Sequence, residues 1–513
     1  DANGNVTGHE YDALNRRLRS YDSLGTRWRG SYDAVGNLET ETDANGNIVR
    51  HSYDAHNRRT GSSDAIGVRY TAGFDGVGNK TTETDANGNV SRYTYDFRNQ
   101  LQSVTRAGVQ LNRYEYDEVG NVAFVTDARG NKTGYEYDGR NLRIAENAPL
   151  AAIHKTAYDA MGDAVLLTDP ENRKTTQAYD LRRRLVAITN GAGEITRQTY
   201  DDNGNLTVVT RPLGNESRRG FDAANRLVSV TTAAGTAHLG YDGNGNLVSR
   251  TGANGNESRY VFDARNRRVR SIRADGTEER IDYDGNGNPA KLRDGRGNVI
   301  EFGYDVRNRE TEKRYGTGPD GLSGVAATWD GNGNRIGSRI DDALGSRSQT
   351  MVYDAFDRLV SQTDPWGKTV SHTYDADGNR ISTTAQGGTS QYSADALNRR
   401  TAVLASGGVS NFSYDRSSLP TAILYADGSQ SKTTYDTAGR IASVEHSRSG
   451  SVFARTQYSY DANGNRNGET TTEDGQSRSA SYVFDGDDRL VQDAQTDTSG
   501  SYKIGRASCR ERG

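Results

Sequence analysis

The stretch from Tyr32 to Thr60, YDAVGNLETETDANGNIVRHSYDAHNRRT, decides the fold of this chain. It opens on a Tyr-Asp dyad that leads into Gly-Asn, and a second dyad, which leads into Asn-Arg, follows at Tyr53. Midway between them stands TDANGN, at Thr42–Asn47. An Asn-Gly pair flanked by alternating residues is the strongest short-range hairpin signal, because both turn positions need a positive φ. The stretch therefore predicts three tight turns joined by short strands.

The dyad recurs along the whole chain, at intervals of 21 residues in most cases. Repetition at a fixed period marks a repeat architecture. The residues after the dyad tend to alternate between a Gly-Asn form and an Asn-Arg form, so the full unit is about 42 residues in two unlike halves. We predict one repeat array over residues 1–502. The aromatic residue of the dyad stands at Tyr11, Tyr32, Tyr53, Phe74, Tyr95, Tyr116, Tyr137, Tyr158, Tyr179, Tyr200, Phe221, Tyr241, Phe262, Tyr283, Tyr304, Trp329, Tyr353, Tyr374, Tyr414, Tyr435, Tyr460 and Phe484, and Ala394 takes one slot.

The residues predicted to build the turns are the dyads and the Gly, Asn and Arg that follow them. The Asp of a dyad can accept hydrogen bonds from the amides of its own turn. These roles are structural, and no residue is assigned as catalytic, cofactor-binding or metal-ligating. The motif residues are Tyr32, Asp33, Gly36, Asn37, Tyr53, Asp54, Asn57, Arg58, Tyr95, Asp96, Tyr116, Asp117, Gly120, Asn121, Tyr137, Asp138, Tyr200, Asp201, Tyr374, Asp375, Tyr460 and Asp461.

The composition predicts an ordered chain with a thin core. Only 33% of the 513 residues are hydrophobic and mean hydropathy is −0.87, whereas Gly (59) and Tyr (29) are abundant. Disorder usually combines low hydrophobicity with few aromatics and high net charge, but the net charge is only −4. Tyrosines two residues apart, such as Tyr93 and Tyr95, share one face of a strand. Thr, Arg and Glu fill the other face.

The number of turns predicts the architecture. Two strands per half-repeat give roughly 44 strands, and at ~4.8 Å per strand the sheet would be ~210 Å wide. Open twisted sheets rarely exceed ~10 strands without curling. We therefore predict an all-β fold in which a long antiparallel sheet winds into a hollow spiral shell (cocoon). Equal spacing in such a meander returns every dyad turn to the same rim. Apolar residues are not repeated at helical spacing over any long stretch, so no long helix is expected.

Charge and motifs exclude several classes of function. A net charge of −4 and a pI near 6.1 leave no basic surface for nucleic acid, and no run approaches the ~18 apolar residues of a membrane span. The string DADGN at Asp375–Asn379 has its glycine too early for an EF-hand, so a hairpin turn is favoured over calcium binding. Gly316–Gly321 matches GxGxxG, but no helical period follows, and an extended loop is favoured over a dinucleotide site. The histidines are scattered, and no HExxH string occurs.

The last residues, Lys503–Gly513, break the repeat pattern. Ile504–Arg512 can be back-translated into a string that resembles a common short-read sequencing adaptor, so this tail is predicted to be non-native, together with Cys509, the only cysteine. No surface of the repeats has evolved to bind a peptide of that origin, so the tail is expected to pack against nothing. Because the chain starts inside the array, at Asp1, it is expected to be truncated at both ends.

The pattern YDxxGN-L…TDANGN-x-x-R-Y-x-YDxxNRL is nearly intact in Tyr32–Thr60 and in Phe74–Leu101, where Phe74 replaces the first tyrosine. This pattern resembles that of the rearrangement-hotspot (Rhs) or YD-repeat family. The resemblance covers approximately residues 1–500. Members of the family include bacterial polymorphic toxins, shell components of insecticidal toxin complexes and the teneurins of animals. The resemblance implies a spiralling antiparallel β-shell that keeps a toxic C-terminal domain sequestered.

The resemblance also implies a function and partners. The chain would be the structural encapsulation shell of a secreted or injected bacterial toxin, located outside the cell or at its surface, and not an enzyme. Its partners would be the enclosed C-terminal toxin domain, predicted to be missing here, and an immunity protein. Asp169-Pro170 and Asp364–Gly367 are only superficially similar to the DPxGL-like core of bacterial members, so no catalytic residue is carried over. The alternative is a cell-surface carbohydrate-binding or adhesion repeat protein, with surface glycans as partners.

Overall fold

The computed structural model of the protein describes residues 1–316 and 321–496, and the backbone of residues 502–505. In this part of the chain it contains 47 β-strands and one 3-10 turn, Pro149–Ala151. Each strand pairs antiparallel with a strand that is its neighbour in the chain. The predicted all-β antiparallel fold is confirmed. The central residues of the GxGxxG string, 317–320, lie outside the described residues, as do residues 506–513 of the tail.

The chain divides into two units, and each unit is made of two segments. Unit 1 comprises Asp1–Tyr114 and Leu239–Gly387, and unit 2 comprises Glu115–His238 and Gly388–Gly513. The strands that begin before residue 239 are β1 Thr7–Tyr11, β2 Arg17–Asp22, β3 Gly25–Tyr32, β4 Leu38–Asp43, β5 Ile48–Tyr53, β6 Arg59–Asp64, β7 Gly67–Phe74, β8 Lys80–Asp85, β9 Val90–Tyr95, β10 Leu101–Arg106, β11 Val109–Tyr116, β12 Val122–Thr126, β13 Lys132–Tyr137, β14 Arg143–Ala148, β15 Ala152–Tyr158, β16 Ala164–Thr168, β17 Lys174–Tyr179, β18 Leu185–Thr189, β19 Ile195–Tyr200, β20 Leu206–Thr210, β21 Glu216–Phe221, β22 Leu227–Thr232 and β23 Gly235–Tyr241.

The later part of the chain continues the same succession of short strands and turns. Its strands are β24 Leu247–Thr251, β25 Glu257–Phe262, β26 Arg268–Ile272, β27 Glu278–Tyr283, β28 Pro289–Arg293, β29 Val299–Tyr304, β30 Glu310–Tyr315, β31 Gly324–Trp329, β32 Arg335–Asp342, β33 Gly345–Tyr353, β34 Leu359–Thr363, β35 Thr369–Tyr374, β36 Arg380–Ala385, β37 Gly388–Ala394, β38 Arg400–Ala405, β39 Gly408–Tyr414, β40 Pro420–Leu424, β41 Ser429–Tyr435, β42 Ile441–Arg448, β43 Ser451–Tyr460, β44 Arg466–Glu473, β45 Gln476–Phe484, β46 Leu490–Thr496 and β47 Tyr502–Gly505.

The two kinds of turn lie at opposite ends of the strands, and therefore along the two opposite margins of the sheet that the strand ends form. Every odd-numbered strand up to β45 ends at a dyad, as β3 does at Tyr32, whereas even-numbered strands end at mid-repeat turns, as β4 does at Asp43. Because successive strands run in opposite directions, all dyad turns of a segment share one edge. We call this the dyad edge and the opposite one the mid-repeat edge. The prediction of a common rim for the dyad turns is confirmed within each segment.

The turns at the Gly-Asn and Asn-Gly motifs do not have the positive φ at two positions that the sequence predicted. In the turn after Tyr32, the Asp33 amide donates to the Asn37 carbonyl at 2.9 Å, and the Gly36 amide donates to the Asp33 carbonyl at 3.2 Å. Gly36 has a φ of 101°, but Asn37 does not have a positive φ, and in TDANGN only Gly46 does. The prediction that both positions need a positive φ is therefore wrong, because a type I turn followed by one left-handed residue closes these hairpins.

The core is thin, as the composition predicts. Among the described residues, the buried apolar side chains are Ala145, Ala152, Pro170 and Met351. Strand β9 shows how the two faces differ, since Arg92 and Thr94 are exposed while Tyr93 and Tyr95 are half-buried. The hydrophobic contribution to stability is therefore spread over many half-buried rings. The hollow interior stays a prediction.

The tail begins differently from the prediction. The backbone of Tyr502–Gly505 forms β47, which pairs antiparallel with β46, so that Ile504 lies opposite Ala494. The expectation that residues from 503 onward pack against nothing is wrong for residues 503–505. A sheet edge offers unpaired N–H and C=O groups to any extended backbone, whatever its side chains are. The non-native origin of the tail stays a prediction.

Candidate functional site

The dyad turn is built around its aspartate. Asp33 Oδ1 accepts hydrogen bonds from the amides of Val35 and Asn37, at 3.0 and 2.8 Å, and Oδ2 accepts one from Asn37 Nδ2 at 2.9 Å. The hydrogen bond from the Asn37 side chain holds the pKa of the Asp33 carboxyl below its ordinary value. An aspartate with both oxygens engaged in this way is committed to its turn and has little capacity left for a metal ion.

Hydrogen bonds also link each dyad turn to the next one along the dyad edge. In the Gly-Asn form, Asn37 Nδ2 donates to Asn57 Oδ1 of the following turn at 2.9 Å. In the Asn-Arg form, Arg58 donates through Nε to Asp54 and through Nη1 to the carbonyl of Asp75 in the next turn, at 2.7 and 2.8 Å. The two forms therefore alternate because each supplies a different half of one continuous ladder.

The dyad tyrosines are committed to the sheet as well. The Tyr53 hydroxyl donates to the Leu38 carbonyl at 3.0 Å, and the same bond spanning 15 residues recurs at Tyr95, Tyr137 and Tyr374. The arginine of the preceding Asn-Arg turn lies over the ring in many repeats, as Arg358 does over Tyr374 at 4.7 Å. A ring whose face is covered by a guanidinium is a poor platform for stacking on a sugar, so the rings that follow Asn-Arg turns are poor candidates for glycan binding.

The mid-repeat turns of one segment meet the dyad turns of the other segment within the same unit. We call this set of contacts the seam. In unit 1, the amide of Asn45 donates to Asn286 Oδ1 at 3.1 Å, and Asn45 Nδ2 donates to Asp284 Oδ2 at 2.9 Å. Asn286 Nδ2 donates in return to Asp43 Oδ2 at 2.7 Å. The two turns therefore bind each other reciprocally.

The same reciprocal arrangement occurs three times in unit 1. Asn3 pairs with Asn244 and Asn87 with Asn332 by the same kinds of bond. In each case the third residue of one turn, counted from its aspartate, contacts the third residue of the other. The second residue of the dyad turn is then glycine, because a Cβ on Gly285 would lie 2.7 Å from the Ala44 carbonyl oxygen.

Between these asparagine pairs, the seam of unit 1 is closed by buried ion pairs. Arg265 contacts both oxygens of Asp22 through Nε and Nη2, at 2.7 and 3.0 Å, and Arg307 contacts Asp64 in the same way, at 2.7 and 3.1 Å. The aspartate side chains are 4% and 2% exposed, and both arginines 8%. The hydrogen bond from Arg265 lowers the pKa of Asp22. Burial alone would raise the pKa of Asp64, but hydrogen bonds led by that of Arg307 outweigh it and lower the pKa.

The seam of unit 2 uses the same turn positions with other side chains. Ser417 donates through Oγ to Asp169 at 2.8 Å, and Asn463 Nδ2 donates to Asn215 Oδ1 at 2.9 Å. The carboxylate of Asp487 accepts hydrogen bonds from the amides of Ala233 and Ala234, at 3.2 and 2.7 Å. Ser417, Asn463 and Asp487 are again the third residues of their turns. The geometry of the seam is therefore general, whereas its chemistry varies.

The predicted motif residues lie at the dyad turns and at the strand ends beside them, where they form the ladder along the dyad edge. The seam residues Asn45, Asn286, Arg265 and Arg307 are not among them. A signal for these residues was present in the sequence, because DANGN recurs at the mid-repeat turns of residues 1–89 and DGNGN at the dyad turns of residues 242–334. Sequence reasoning did not connect the two strings, since they stand about 240 residues apart.

The described ranges of the chain offer little to a metal ion or to a membrane. No three His, Cys, Asp or Glu side chains there converge as metal ligands, and no helix there is long and apolar enough to cross a membrane. A cavity of about 240 Å³ in unit 1 is lined by Tyr260, Arg268, Glu278 and Glu279 among others. Arginines and glutamates neutralise each other in it, as in the Arg268–Glu279 pair. The seam is therefore the feature with the most regular geometry.

Family comparisons agree with the repeat. The RHS Repeat model matches residues 32–68, 113–152, 200–237, 241–278, 283–322 and 435–477, and the Teneurin YD-shell model matches residues 334–451. No curated protein sequence matches the chain.

Solved structures with the same fold come from toxin complexes. The chain superimposes on the crystal structure of TcdB2-TccC3-Cdc42 with a TM-score of 0.66 at 15% identity, covering 97% of this chain and 31% of that one. It superimposes on TcdB2-TccC3 with a TM-score of 0.64 at 11% identity, covering 98% and 35%. A Photorhabdus luminescens Tc holotoxin pore gives 0.66 at 10% identity, covering 98% and 36%. The chain thus spans about a third of the length of these proteins, and the likeness shows the fold.

Proposed function

Since the chain is an RHS/YD-repeat protein, we propose that it forms part of the wall of an encapsulating shell, which sequesters a toxic domain of the same polypeptide and is exported from a bacterial cell. The seam is the observation that supports this proposal. Within each unit it joins the turns of one segment to those of the other, turn by turn, so that the two segments form one continuous wall. A container needs such a wall, whereas a binding surface does not.

The chemistry of the strands fits a container that must release its contents. The exposed face of strands such as β9 carries Arg92 and Thr94, and acidic and basic residues are nearly balanced over the chain. A polar face of mixed charge offers a cargo neither a large apolar contact nor a field of one sign. The wall is proposed to act by exclusion, and to have no catalytic activity of its own.

The proposal is tested by protecting a fused cargo. A small reporter enzyme is joined to the C-terminal end of the chain, and its digestion by an added protease is compared with that of the free reporter. We expect the fused reporter to be digested more slowly. Replacing both Asp22 and Asp64 with alanine should abolish the protection, because it leaves the buried guanidinium groups of Arg265 and Arg307 without their carboxylate partners.

Asp202→Ala is the matched control, since this carboxylate lies on a dyad turn but is fully exposed. It should leave protection unchanged. Equal digestion rates for the free reporter and for the reporter fused to the unmodified chain would contradict encapsulation. Protection that survives the double substitution in a folded protein would show that the seam does not close the wall.

A further inference from the structure

The contacts of the unit 1 seam are too alike to determine which turns meet. Its asparagine pairs use the same residue types and the same bonds, and the Asp22–Arg265 pair matches the Asp64–Arg307 pair atom for atom. Equivalent turns along an edge are four strands apart, which is ~19 Å. A seam displaced by this distance would again place like turns opposite each other, so another feature must distinguish the observed register.

The next ion pair along the seam has the reverse polarity. Arg106 ends β10, at the position where Asp22 and Asp64 end β2 and β6. Its Nη2 contacts Asp357 Oδ2 of the facing dyad turn at 3.1 Å, and Asp85 Oδ2 at 2.6 Å. The positive charge therefore lies on the mid-repeat edge here, whereas it lies on the dyad edge in the first two pairs.

Asp357 occupies the left-handed position of an Asn-Arg dyad turn. Its φ is 61°, and Asn308 has a φ of 60° at the same position of the preceding Asn-Arg turn. Asp357 Oδ1 accepts hydrogen bonds from Asn332 Nδ2 and Asn334 Nδ2, both at 2.8 Å, as Asn308 Oδ1 does from its own neighbours. The exchange of Asn for Asp therefore keeps the ladder along the dyad edge and leaves a charged oxygen for Arg106.

The same exchange occurs again in unit 2. Asp488 has a φ of 60° and accepts hydrogen bonds through Oδ1 from Asn463 and Asn465, at 3.1 and 2.9 Å. Its Oδ2 pairs with Arg211, which opens a mid-repeat turn of the opposite edge. The outer dyad turns, which lie outside the seams, have no Asp at the left-handed position in the described part of the chain. In both seams the aspartate at this position meets an arginine of the opposite edge.

We propose that Arg106 and Asp357 determine the register of the unit 1 seam. A shift by one unit in one direction would bring Arg106 against Arg307, and a shift in the other direction would bring Asp64 against Asp357. Like charges that meet in an interface oppose the wrong arrangement, whereas the observed register pairs each of these charges with an opposite one. The proposal concerns the closure of one unit and does not rest on encapsulation.

Pairs of cysteines can report the register. The native reporter carries Asn45→Cys with Asn286→Cys. The upstream reporter combines Asn45→Cys with Asn244→Cys, and the downstream reporter combines it with Asn332→Cys, so that each marks one direction of the shift. Cys509→Ser removes the other thiol from all three. Each protein is refolded from urea and treated with a thiol cross-linker much shorter than the ~19 Å between equivalent turns, and the cross-linked fraction is measured by peptide mass spectrometry.

Each of the two residues should exclude a different shift. Arg106→Gln removes the repulsion from Arg307, so a fraction of the upstream reporter should become cross-linked while the downstream reporter does not. Asp357→Asn should give the opposite result. Because Asn308 stands at the same position in its own turn, this variant keeps the dyad turn and its ladder. With Arg106 and Asp357 both in place, cross-linking should be confined to the native reporter.

Arg92→Gln is the matched control, because Arg92 is exposed on the face of β9, away from the turns. Cross-linking in this variant should be confined to the native reporter, and circular dichroism should show that all variants are folded. A pair that only added attraction would not distinguish the two directions of a shift. The proposal would therefore be overturned if Arg106→Gln and Asp357→Asn cross-linked the same displaced reporter, or if neither cross-linked a displaced reporter.

Discussion

The seams of the two units are built from the same turns, but the side chains that make the contacts are repeated regularly only in unit 1. In unit 1 the contacts alternate between asparagine pairs, such as Asn45 with Asn286, and buried ion pairs, such as Asp64 with Arg307. In unit 2, four successive dyad turns carry Ser417, Ala438, Asn463 and Asp487 at the same position. The shared element is the backbone of the turn, which presents its third residue to the opposite edge. Repeated sequence is therefore not required for a seam, but it makes the contacts uniform.

Substitutions at the seam of unit 1 should cost more free energy of unfolding than substitutions at the exposed ion pair in the seam of unit 2. A buried ion pair in unit 1 leaves an unpaired charge when one partner is removed, whereas an exposed pair in unit 2 is screened by water. Local stability is best followed by amide hydrogen exchange in the strands beside each turn, because units of a repeat array can open separately.

The largest effect is expected for Asp64→Ala. This change leaves Arg307 without its carboxylate in a site where its side chain is 8% exposed. Removing one partner of such a pair costs about 3 kcal/mol. Amide exchange in β6 and β29 should accelerate accordingly. Asp202→Ala, at an exposed carboxylate, should change exchange little, and equal effects of the two substitutions would contradict the burial of the pair.

Acid should weaken the same ion pairs, but less than truncation does, because a protonated aspartate still fills its space. The pKa values of Asp22 and Asp64 lie below the ordinary value of 3.8. A carboxyl with a lowered folded pKa contributes stability above the unfolded value, and this contribution is lost as the pH falls below it. Unfolding by urea should therefore become easier below about pH 4. The double variant Asp22→Asn, Asp64→Asn should show a smaller loss over this range, and an unchanged loss would assign it to other groups.

Gly285→Ala tests the close approach of the two backbones in unit 1. The added methyl would lie 2.7 Å from the Ala44 carbonyl oxygen, and overpacking of this kind costs about 2 kcal/mol. Gly76 occupies the same place in an outer dyad turn, where an added Cβ would meet nothing within 4 Å. Gly76→Ala should therefore not destabilise the chain in urea unfolding. If both substitutions had the same effect, the contact would not depend on close backbone approach.

The asparagines should give similar effects in both units, which sharpens the comparison. Asn286→Ala and Asn463→Ala each remove hydrogen bonds in which the side chain is both donor and acceptor. The loss should be about 1 kcal/mol in each case. Asn203 is the third residue of an outer dyad turn, and its Nδ2 donates to Asn225 Oδ1 along the same edge at 3.0 Å. Asn203→Ala should lower the local stability measured by amide exchange less than either seam variant does. An equal loss would show that the hydrogen bonds along the dyad edge, and not those of the seam, supply the stability.

The smallest effect is expected for Glu171→Ala in unit 2. Glu171 pairs with Arg416 at 2.9 Å, but the side chains are 30% and 50% exposed. Such pairs contribute about 0–1 kcal/mol. Urea unfolding at low and at high salt should show a small difference that salt removes, since exposed pairs are screened. A loss as large as that of Asp64→Ala would show that the two seams are energetically alike.

Local features of the chain were predictable from its residues. The position of each turn, the Asp that accepts the amides of its own turn and the thin core all follow from short-range patterns. The error in the turns, a positive φ at both Asn-Gly positions, arose because a Gly or Asn in a turn signals a left-handed residue without specifying how many there are. Gly36 and Asn57 each supply one such residue per turn.

The partners across the seam could not be predicted from the residues in the same way. Asn45 meets Asn286, and Glu171 meets Arg416, over separations of 241 and 245 residues. An insertion between turns changes such a separation without changing any motif, as the 25-residue step from Tyr304 to Trp329 does. The repeat sequence thus determined the turns and the order of the strands, because these depend on neighbouring residues. The tertiary structure decided which turns meet, because turns about 240 residues apart share no local pattern.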